Sequence, residues 1–327
     1  MTETSARAYP LGYQAIRNIA MVTNPKAGHG IAQKAAETAA ATFADAGVGV
    51  INVQGSSSEQ SRSLIREVIA DERIDALVVV GGDGMVNLAL QEQAQTGLPL
   101  GIIPAGTGND HAREYNLPIG DAAAAAKVVI DGFYVGTDLG RISEHDGAGP
   151  ASSPTGTQHW FGTVMCSGFD SLVSDRVNSM RWPHGKNRYN VAIVREFFRF
   201  HSLPFVIELD DGRVLDGPIT LAAFGNTKSY GGGMKMCPNA DHADGLLDIT
   251  VIGRASRRRA ALAFAGVFKG THIKEPEVST YRAKSATVRY VGPPRTMNAY
   301  ADGDFMAPLP VTVEVVQAAG KYLVPRP

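Results

Sequence analysis

The sequence is poor in the features that mark thiolate metal sites and membrane-spanning proteins. It has two cysteines in 327 residues, Cys166 and Cys237, and no Cys-x-x-Cys pair. This excludes a zinc-type thiolate cluster, and we expect two reduced, buried thiols, with a disulfide as the alternative. No apolar run approaches the roughly 20 residues of a transmembrane helix, so any membrane contact is expected to be peripheral.

An excess of charge of either sign is also missing. The net charge is −1 and charged residues make up 19% of the chain. This balance gives no electrostatic basis for binding nucleic acid, so we expect no such partner. Residues 1–13 lack the apolar core of a secretory signal, which favours a cytoplasmic protein.

The first 135 residues alternate strand-like and helix-like segments. The predicted strands are 18–23, 48–53, 77–80 and 101–103, and the predicted helices are 30–46, 58–70 and 122–131. This order predicts a parallel sheet with helices on both faces, in an α/β domain over residues 1–137. In such sheets ligands bind at the carboxyl ends of the strands.

The pattern changes near residue 138. Short alternating segments predict an antiparallel β-sandwich, in a β-rich domain over residues 138–327. These segments are 205–209, 220–224, 247–252, 286–290 and 311–316. We predict helices at 174–200 and 256–269, and a flexible loop at 143–158 because that stretch is rich in Gly, Ser, Pro and Thr.

Two glycine-rich loops follow predicted strands of the first domain. Residues 81–84 read Gly-Gly-Asp-Gly, and residues 106–110 read Gly-Thr-Gly-Asn-Asp. Glycine lets a main chain approach a ligand closely, and the N-terminus of a following helix presents N–H groups to an anion. Since each loop carries an aspartate, the pair predicts a site for phosphate and magnesium.

The ordered motifs resemble those of the bacterial diacylglycerol kinases and related lipid kinases, a family that includes the sphingosine and ceramide kinases. The matching segments are 24–28, 81–84, 104–110, 231–233, 238–248 and 302–304, so the resemblance spans nearly the whole chain. It implies an NAD-kinase/diacylglycerol-kinase-like fold in which ATP binds between the two domains. A lipid hydroxyl would attack the γ-phosphate there.

The resemblance also implies roles for individual residues. Asp302 would be the general base, and Asp83 and Asp110 would organise magnesium and water. The implied nucleotide contacts are Asn24, Lys26, Gly81, Gly82, Asp83, Gly84, Asn87, Gly106, Thr107 and Asn109. A second, structural magnesium would bind Asp241, Asp244 and the carbonyl of Leu246.

The chain departs from the family at three positions. Met85 stands where the family has a threonine, and Asp304 stands where it has a glutamate. The family's threonine after the second strand has no clear counterpart near residues 54–57, where Ser56 or Ser57 would substitute.

Plainer interpretations of the same aspartates remain open. Asp83 and Asp110 would also serve as helix caps. Asp302 begins an Asp-Gly pair, the commonest hairpin signal. Asp241 and Asp244 would also be ordinary for a solvated loop. His111 is given no role.

The sequence as a whole predicts an ATP-dependent lipid kinase that phosphorylates diacylglycerol to phosphatidic acid with ATP and Mg²⁺. The alternatives are an NAD kinase-like enzyme, and a catalytically impaired protein that binds nucleotide or lipid. The expected partners are a lipid at a membrane surface and a second copy of the chain in a homodimer. Residues 181–189 and 256–264 mix basic and apolar side chains, which favours either membrane contact or a solvated charged face.

Overall fold

A computed structural model of the chain describes residues 9–24, 30–145, 156–168, 202–256, 259 and 265–326. Lys26 lies outside these residues. So do residues 181–189, the predicted helix 174–200, half of the predicted helix 256–269 and most of the loop 143–158.

The first part of the chain forms a parallel α/β sheet, as predicted. Its elements are β1 (Gly12–Tyr13), β2 (Asn18–Thr23), α1 (Ile31–Asp45), β3 (Gly49–Val53), α2 (Ser58–Ile69), β4 (Ala76–Gly81), α3 (Asp83–Gln93), β5 (Leu100–Pro104), α4 (Asp110–Glu114) and α5 (Ala122–Asp131). Strands β3, β2, β4 and β5 are neighbours in that order and run parallel. Their carboxyl ends therefore meet at one edge of the sheet.

Strand β4 shows why helices cover both faces. Every residue of β4 is buried. Because successive strand side chains point to opposite faces, Leu77 and Val79 pack into one core and Val78 and Val80 into another. Helices α2 and α3 contribute side chains to the first core, and helices α1 and α5 contribute side chains to the second.

The second part of the chain is an antiparallel β-sandwich, which confirms the predicted fold class. Its strands are β6 (Phe133–Glu144), β7 (Gln158–Phe161), β8 (Val164–Gly168), β9 (Leu203–Leu209), β10 (Val214–Ile219), β11 (Leu221–Gly225), β12 (Leu247–Ile252), β13 (Val278–Ala283), β14 (Ser285–Tyr290), β15 (Asn298–Ala301), β16 (Asp304–Pro308) and β17 (Val311–Leu323), and a 3₁₀ helix spans Thr271–Lys274. One sheet has the order β13-β12-β11-β8-β15-β16. Its inner side chains share a core with those of β9, β14 and β17.

Strand β17 joins the two parts of the fold. Its start pairs antiparallel with β14, both of its halves pair antiparallel with β6, and Tyr322 near its end pairs parallel with Leu100 of β5. One sheet of eleven strands therefore runs through both parts. The boundary placed after residue 137 falls inside β6 and stays a prediction.

The two cysteines are free and buried, as expected. Burial raises the pKa of the Cys237 thiol to about 12, so this thiol is not a reactive group. Among the residues that the structure describes, no helix is long and apolar enough to cross a membrane.

Candidate active site

The two glycine-rich loops pack directly against each other. Helix α3 begins at Asp83 after Gly82, and a Cβ atom on Gly106 would lie 2.3 Å from the Cα of Gly82. The Asn109 side chain closes the second loop, because it accepts a hydrogen bond from the Gly106 N–H and donates one to the Gly106 carbonyl. Gly82, Gly106 and Asn109 therefore shape the loops through main-chain contacts.

The aspartates of the two loops lie side by side. Asp83 Oδ1 accepts a hydrogen bond from the main-chain N–H of His111 at 3.2 Å. The Oδ2 atoms of Asp83 and Asp110 both lie next to Gly108. Thr107, at the exposed tip of the second loop, stands beside them.

Asp110 binds a loop of the β-sandwich. Its two carboxylate oxygens accept hydrogen bonds from the N–H groups of Gly232 and Gly233, each at 2.7 Å. Both glycines have positive φ angles, 89° and 99°, which an L side chain rarely adopts. Burial, and after it the charge of Asp83, raise the pKa of Asp110 despite these hydrogen bonds. Asp110 therefore links the α/β sheet to the sandwich.

Asp302 lies in the turn between β15 and β16. Asp302 and Gly303 both have positive φ, 52° and 88°, the pattern of a type I′ hairpin turn. The Asp302 carboxylate accepts four hydrogen bonds, from the N–H and hydroxyl of Thr163, the N–H of Gly162 and the amide of Asn87. Its side chain has no exposed surface. Burial disfavours its charge, but nearby His111 and these donors hold the pKa of Asp302 at about 2.

These contacts do not fit the general base that the resemblance implied at Asp302. A base must reach the proton it removes, and it works best when its pKa is near the working pH. The Asp302 carboxylate is enclosed, bound by four donors and strongly acidic. Its contacts suit a residue that fixes the hairpin turn.

Asp304 is the carboxylate that faces the opening beside the loops. It begins β16, and its Oδ2 atom lies 3.2 Å from the position that a Cβ of Gly84 would take. The residue as a whole is exposed, but partial burial of its carboxylate, together with the charges of Asp302 and Asp83, raises the pKa of Asp304. The pKa values of Asp302 and Asp304 are therefore shifted in opposite directions, although the two residues are only two positions apart.

A cavity of about 1090 Å³ lies at this edge of the sheet. It is lined by Asn24, Gln54, Gly55, Ser56, Ser57, Ser58, Ser61, Arg62, Gly84, Met85, Asn87, Leu88, Gln91, His159, Asp304, Phe305 and Met306. The N-terminal ends of α2 and α3 both reach it. Its apolar side chains, Met85, Leu88, Phe305 and Met306, are here called the apolar wall, and the remaining, mostly polar lining residues are called the polar wall.

The cavity includes only some of the predicted nucleotide contacts. Asn24, Gly84 and Asn87 line it, and the Asn87 amide also donates to Asp302. The contacts that lie beside the cavity without lining it are Gly81, Gly82, Asp83, Gly106, Thr107 and Asn109.

Comparisons with known proteins match both parts of the chain. Residues 18–142 match the diacylglycerol kinase catalytic domain, and residues 163–323 match the YegS C-terminal NAD kinase beta sandwich-like domain. A Mycobacterium tuberculosis protein named diacylglycerol kinase is 48% identical over 311 residues, which cover 95% of this chain and 96% of that protein.

The chain belongs to the bacterial diacylglycerol kinase family. It is a kinase that transfers a phosphoryl group. A crystal structure of a putative diacylglycerol kinase from Bacillus anthracis has the same fold, with a TM-score of 0.74 at 22% identity over 95% of this chain and 98% of that one. Yeast NADH kinase complexed with NADH shares the fold more distantly, with a TM-score of 0.55 at 10% identity over 100% of this chain and 89% of that one.

The structural magnesium site implied by the family resemblance does not fit the contacts of its residues. Asp241 and Asp244 each accept a hydrogen bond from a main-chain N–H two residues on, those of Ala243 and Leu246. The second oxygen of Asp244 is bound by the Arg282 guanidinium, which also contacts Asp248 at 3.2 Å.

Arg282 therefore supplies positive charge to two carboxylates of this loop, Asp244 and Asp248. Burial and the charge of Asp241 raise the pKa of Asp248 to about 6. Within the described part of the chain, no group of three or more His, Cys, Asp or Glu residues is arranged to hold a metal.

Sequence reasoning missed three residues of this site. His111 lies between Asp83 and Asp302, and Gly162 and Thr163 bind Asp302 from the turn between β7 and β8. His111 directly follows the glycine-rich motif that ends at Asp110. Its place next to that motif is the sequence signal that could have identified it as part of the site. Gly162 and Thr163 belong to no motif, so only the folded chain reveals them.

Proposed function

We propose that this kinase transfers the γ-phosphate of ATP to the free hydroxyl of diacylglycerol and forms phosphatidic acid. The observation that carries the proposal is the position of Asp304, whose carboxylate lies beside Gly84 in the first turn of α3 and whose residue directly precedes Phe305 of the apolar wall. A phosphate donor and an apolar alcohol would meet at such a boundary.

The polar wall suits the phosphates of a nucleotide. Helix N-termini attract anions because their first N–H groups lack partners within the helix. The N-termini of α2 and α3 border one cavity; Ser57 caps α2 by accepting a hydrogen bond from the Gln60 N–H, whereas Gly82 leaves α3 without a side-chain cap. Arg62 adds a positive charge to this wall, although it is also paired with Glu92.

Asp83 fits the magnesium ion that accompanies a nucleotide. Its Oδ2 atom accepts no hydrogen bond from any described residue, and Mg²⁺ is commonly held by one or two carboxylates with water and phosphate oxygens. Bound there, the ion would neutralise charge on the phosphates. Asp110 fits the role of magnesium ligand less well, because both of its carboxylate oxygens already accept hydrogen bonds from main-chain N–H groups.

We assign the general base to Asp304. The acceptor hydroxyl oxygen forms a bond to the γ-phosphorus as the bond to the bridging β,γ-oxygen breaks, and ADP leaves with that oxygen. The hydroxyl proton passes to the Asp304 carboxylate. Its raised pKa supports this role, because a base with a pKa closer to the working pH accepts a proton more readily.

The apolar wall suits the glycerol and upper acyl portion of a lipid. Phe305 is 50% exposed and stands at the cavity beside Met306. Met85, which replaces the family's threonine, adds another apolar side chain to this wall. We propose that the lipid is reached at a membrane surface by peripheral contact.

The test is to incubate the purified protein with γ-labelled ATP, Mg²⁺ and one acceptor at a time. The acceptors are diacylglycerol, phosphatidylglycerol and a sphingoid base in mixed micelles, and NAD in solution. We expect label in phosphatidic acid, identified by mass spectrometry. Label in NADP would support the NAD kinase alternative. ATP binding by the folded protein without any labelled product would support the catalytically impaired alternative.

A further inference from the structure

A buried histidine lies against the buried carboxylate of Asp302. The side chains of His111 and Asp302 are 1% and 0% exposed, and His111 Nε2 is 3.6 Å from Asp302 Oδ2. This separation is longer than a hydrogen bond, and Nε2 has no hydrogen-bond partner among the described residues. The other ring nitrogen, Nδ1, lies 3.3 Å from the hydroxyl of Tyr322.

The surroundings of the ring are built to hold it in place. A Cβ atom on Gly162 would lie 2.3 Å from His111 Cε1, so the ring rests on a main chain that must be glycine. The same Gly162 donates its N–H to Asp302 Oδ2 at 2.9 Å. The main-chain N–H of His111 binds Asp83, so the residue contacts the nucleotide loop as well.

The buried charge of Asp302 explains why a polar ring edge, and not an apolar one, faces it. A fully buried carboxylate is costly unless an opposite charge and hydrogen bonds compensate for its lost water. The four hydrogen-bond donors to Asp302 are neutral groups of Asn87, Gly162 and Thr163. His111 Nε2 is a further polar atom beside this carboxylate that has no other hydrogen-bond partner among the described residues, so its ring can turn an N–H toward Asp302.

We propose that His111 is a positioning residue, which holds Asp302 in place and thereby fixes the hairpin turn that presents Asp304 to the acceptor hydroxyl. His111 does not line the cavity, so it touches neither substrate. Its effect passes through Asp302 to Asp304, two residues further along the same turn. This inference rests on the proposed function in taking Asp304 as the base.

Two substitutions separate this role from simple packing. His111→Phe keeps an aromatic ring against Gly162 and Tyr322 but removes the polar edge that faces Asp302. His111→Gln loses the ring but keeps an N–H donor at about the position of Nε2. We expect His111→Phe to lower kcat by about tenfold or more, with KM for ATP within about twofold of the wild type. His111→Gln should recover most of kcat. Unchanged kcat in the Phe variant, or equal losses in both variants, would overturn the proposal.

A second measurement needs no substrate. Thermal melting of the wild type, His111→Phe, Asp302→Asn and the double variant forms a double-mutant cycle. We expect His111→Phe to lower Tm by about 5 °C in the wild type but by much less in the Asp302→Asn background, because the buried charge is then gone. Equal losses in both backgrounds would refute the coupling. If the wild type labels no lipid but the cycle still shows coupling between His111 and Asp302, the proposed function is wrong. The contact between these two residues would then still be supported.

Discussion

Asp302 and Asp304 show how the local environment separates two identical side chains. Both belong to one Asp-Gly-Asp motif, which the sequence reveals directly. The Asp302 carboxylate accepts four hydrogen bonds, whereas the Asp304 carboxylate faces Gly84 and the cavity. The donors to Asp302 come from α3 and from the turn after β7. No spacing rule could therefore have shown which carboxylate is available to a substrate.

The first prediction concerns the base at Asp304. Asp304→Asn keeps the size and the hairpin register but cannot accept a proton. We expect kcat to fall by about 10²- to 10⁴-fold, the usual contribution of general base catalysis. Asp304→Glu is the matched control, because it keeps the carboxylate, and it should retain far more activity than the Asn variant. Equal activity of the Asn variant and the wild type in the labelled-ATP assay would exclude Asp304 as the base.

The pH dependence of turnover follows from the same residue. The base must be ionised, and burial with the charges of Asp302 and Asp83 raises the pKa of Asp304 above that of an ordinary aspartate. Activity should therefore be full at neutral pH and fall as the pH drops through this raised pKa, before an ordinary aspartate would be protonated. A kcat–pH profile checks this, with melting curves at each pH to confirm that the protein stays folded.

The contact between the glycine loops gives a prediction for these two elements. Gly106→Ala would place a Cβ atom 2.3 Å from the Cα of Gly82, and neither main chain can yield easily. Separating the loops should cost about 1 to 3 kcal/mol of stability and weaken ATP binding at the α3 N-terminus. Gly253→Ala is the control, because its nearest atom would be an ordinary 3.6 Å away. If calorimetry gave the same ATP affinity for Gly106→Ala and Gly253→Ala, the role given to the contact between the two loops would be wrong.

The loop before β12 gives a second prediction for an element. Because Arg282 already binds Asp244 and Asp248, the Tm of the wild type should be the same in EDTA and in millimolar Mg²⁺. Arg282→Ala leaves these carboxylates unpaired, which should cost roughly 1 to 3 kcal/mol, part of it recovered by Mg²⁺. Arg282→Lys keeps the charge and should fall between the two. A wild-type Tm that rises clearly with Mg²⁺ would show that a metal binds this loop.

Across the whole molecule, the sequence predicts elements well where one physical signal dominates. Strand β4 was predicted because its apolar run is continuous, and residues 122–131 were predicted as the helix that the structure contains. Strand β6 was missed, because Gly136, Asp138 and Gly140 interrupt its pattern. The site depends on contacts between residues far apart in the chain, such as Asp110 with Gly232 and Gly233. Such contacts produce no repeating pattern in the sequence, so they could not be predicted from it.

The path of β17 predicts how the whole chain unfolds. Tyr322 packs in one core of the α/β sheet and Leu323 in the other, while the start of β17 belongs to the sandwich core. Neither part of the fold therefore has a complete core without this strand, and we expect a single cooperative transition, with coincident melting curves from near-UV and far-UV circular dichroism. A fragment of residues 1–137 should fail to fold, because it lacks Tyr322 and Leu323. Two separate transitions, or a cooperative melt of that fragment alone, would show that the α/β part is stable without β17.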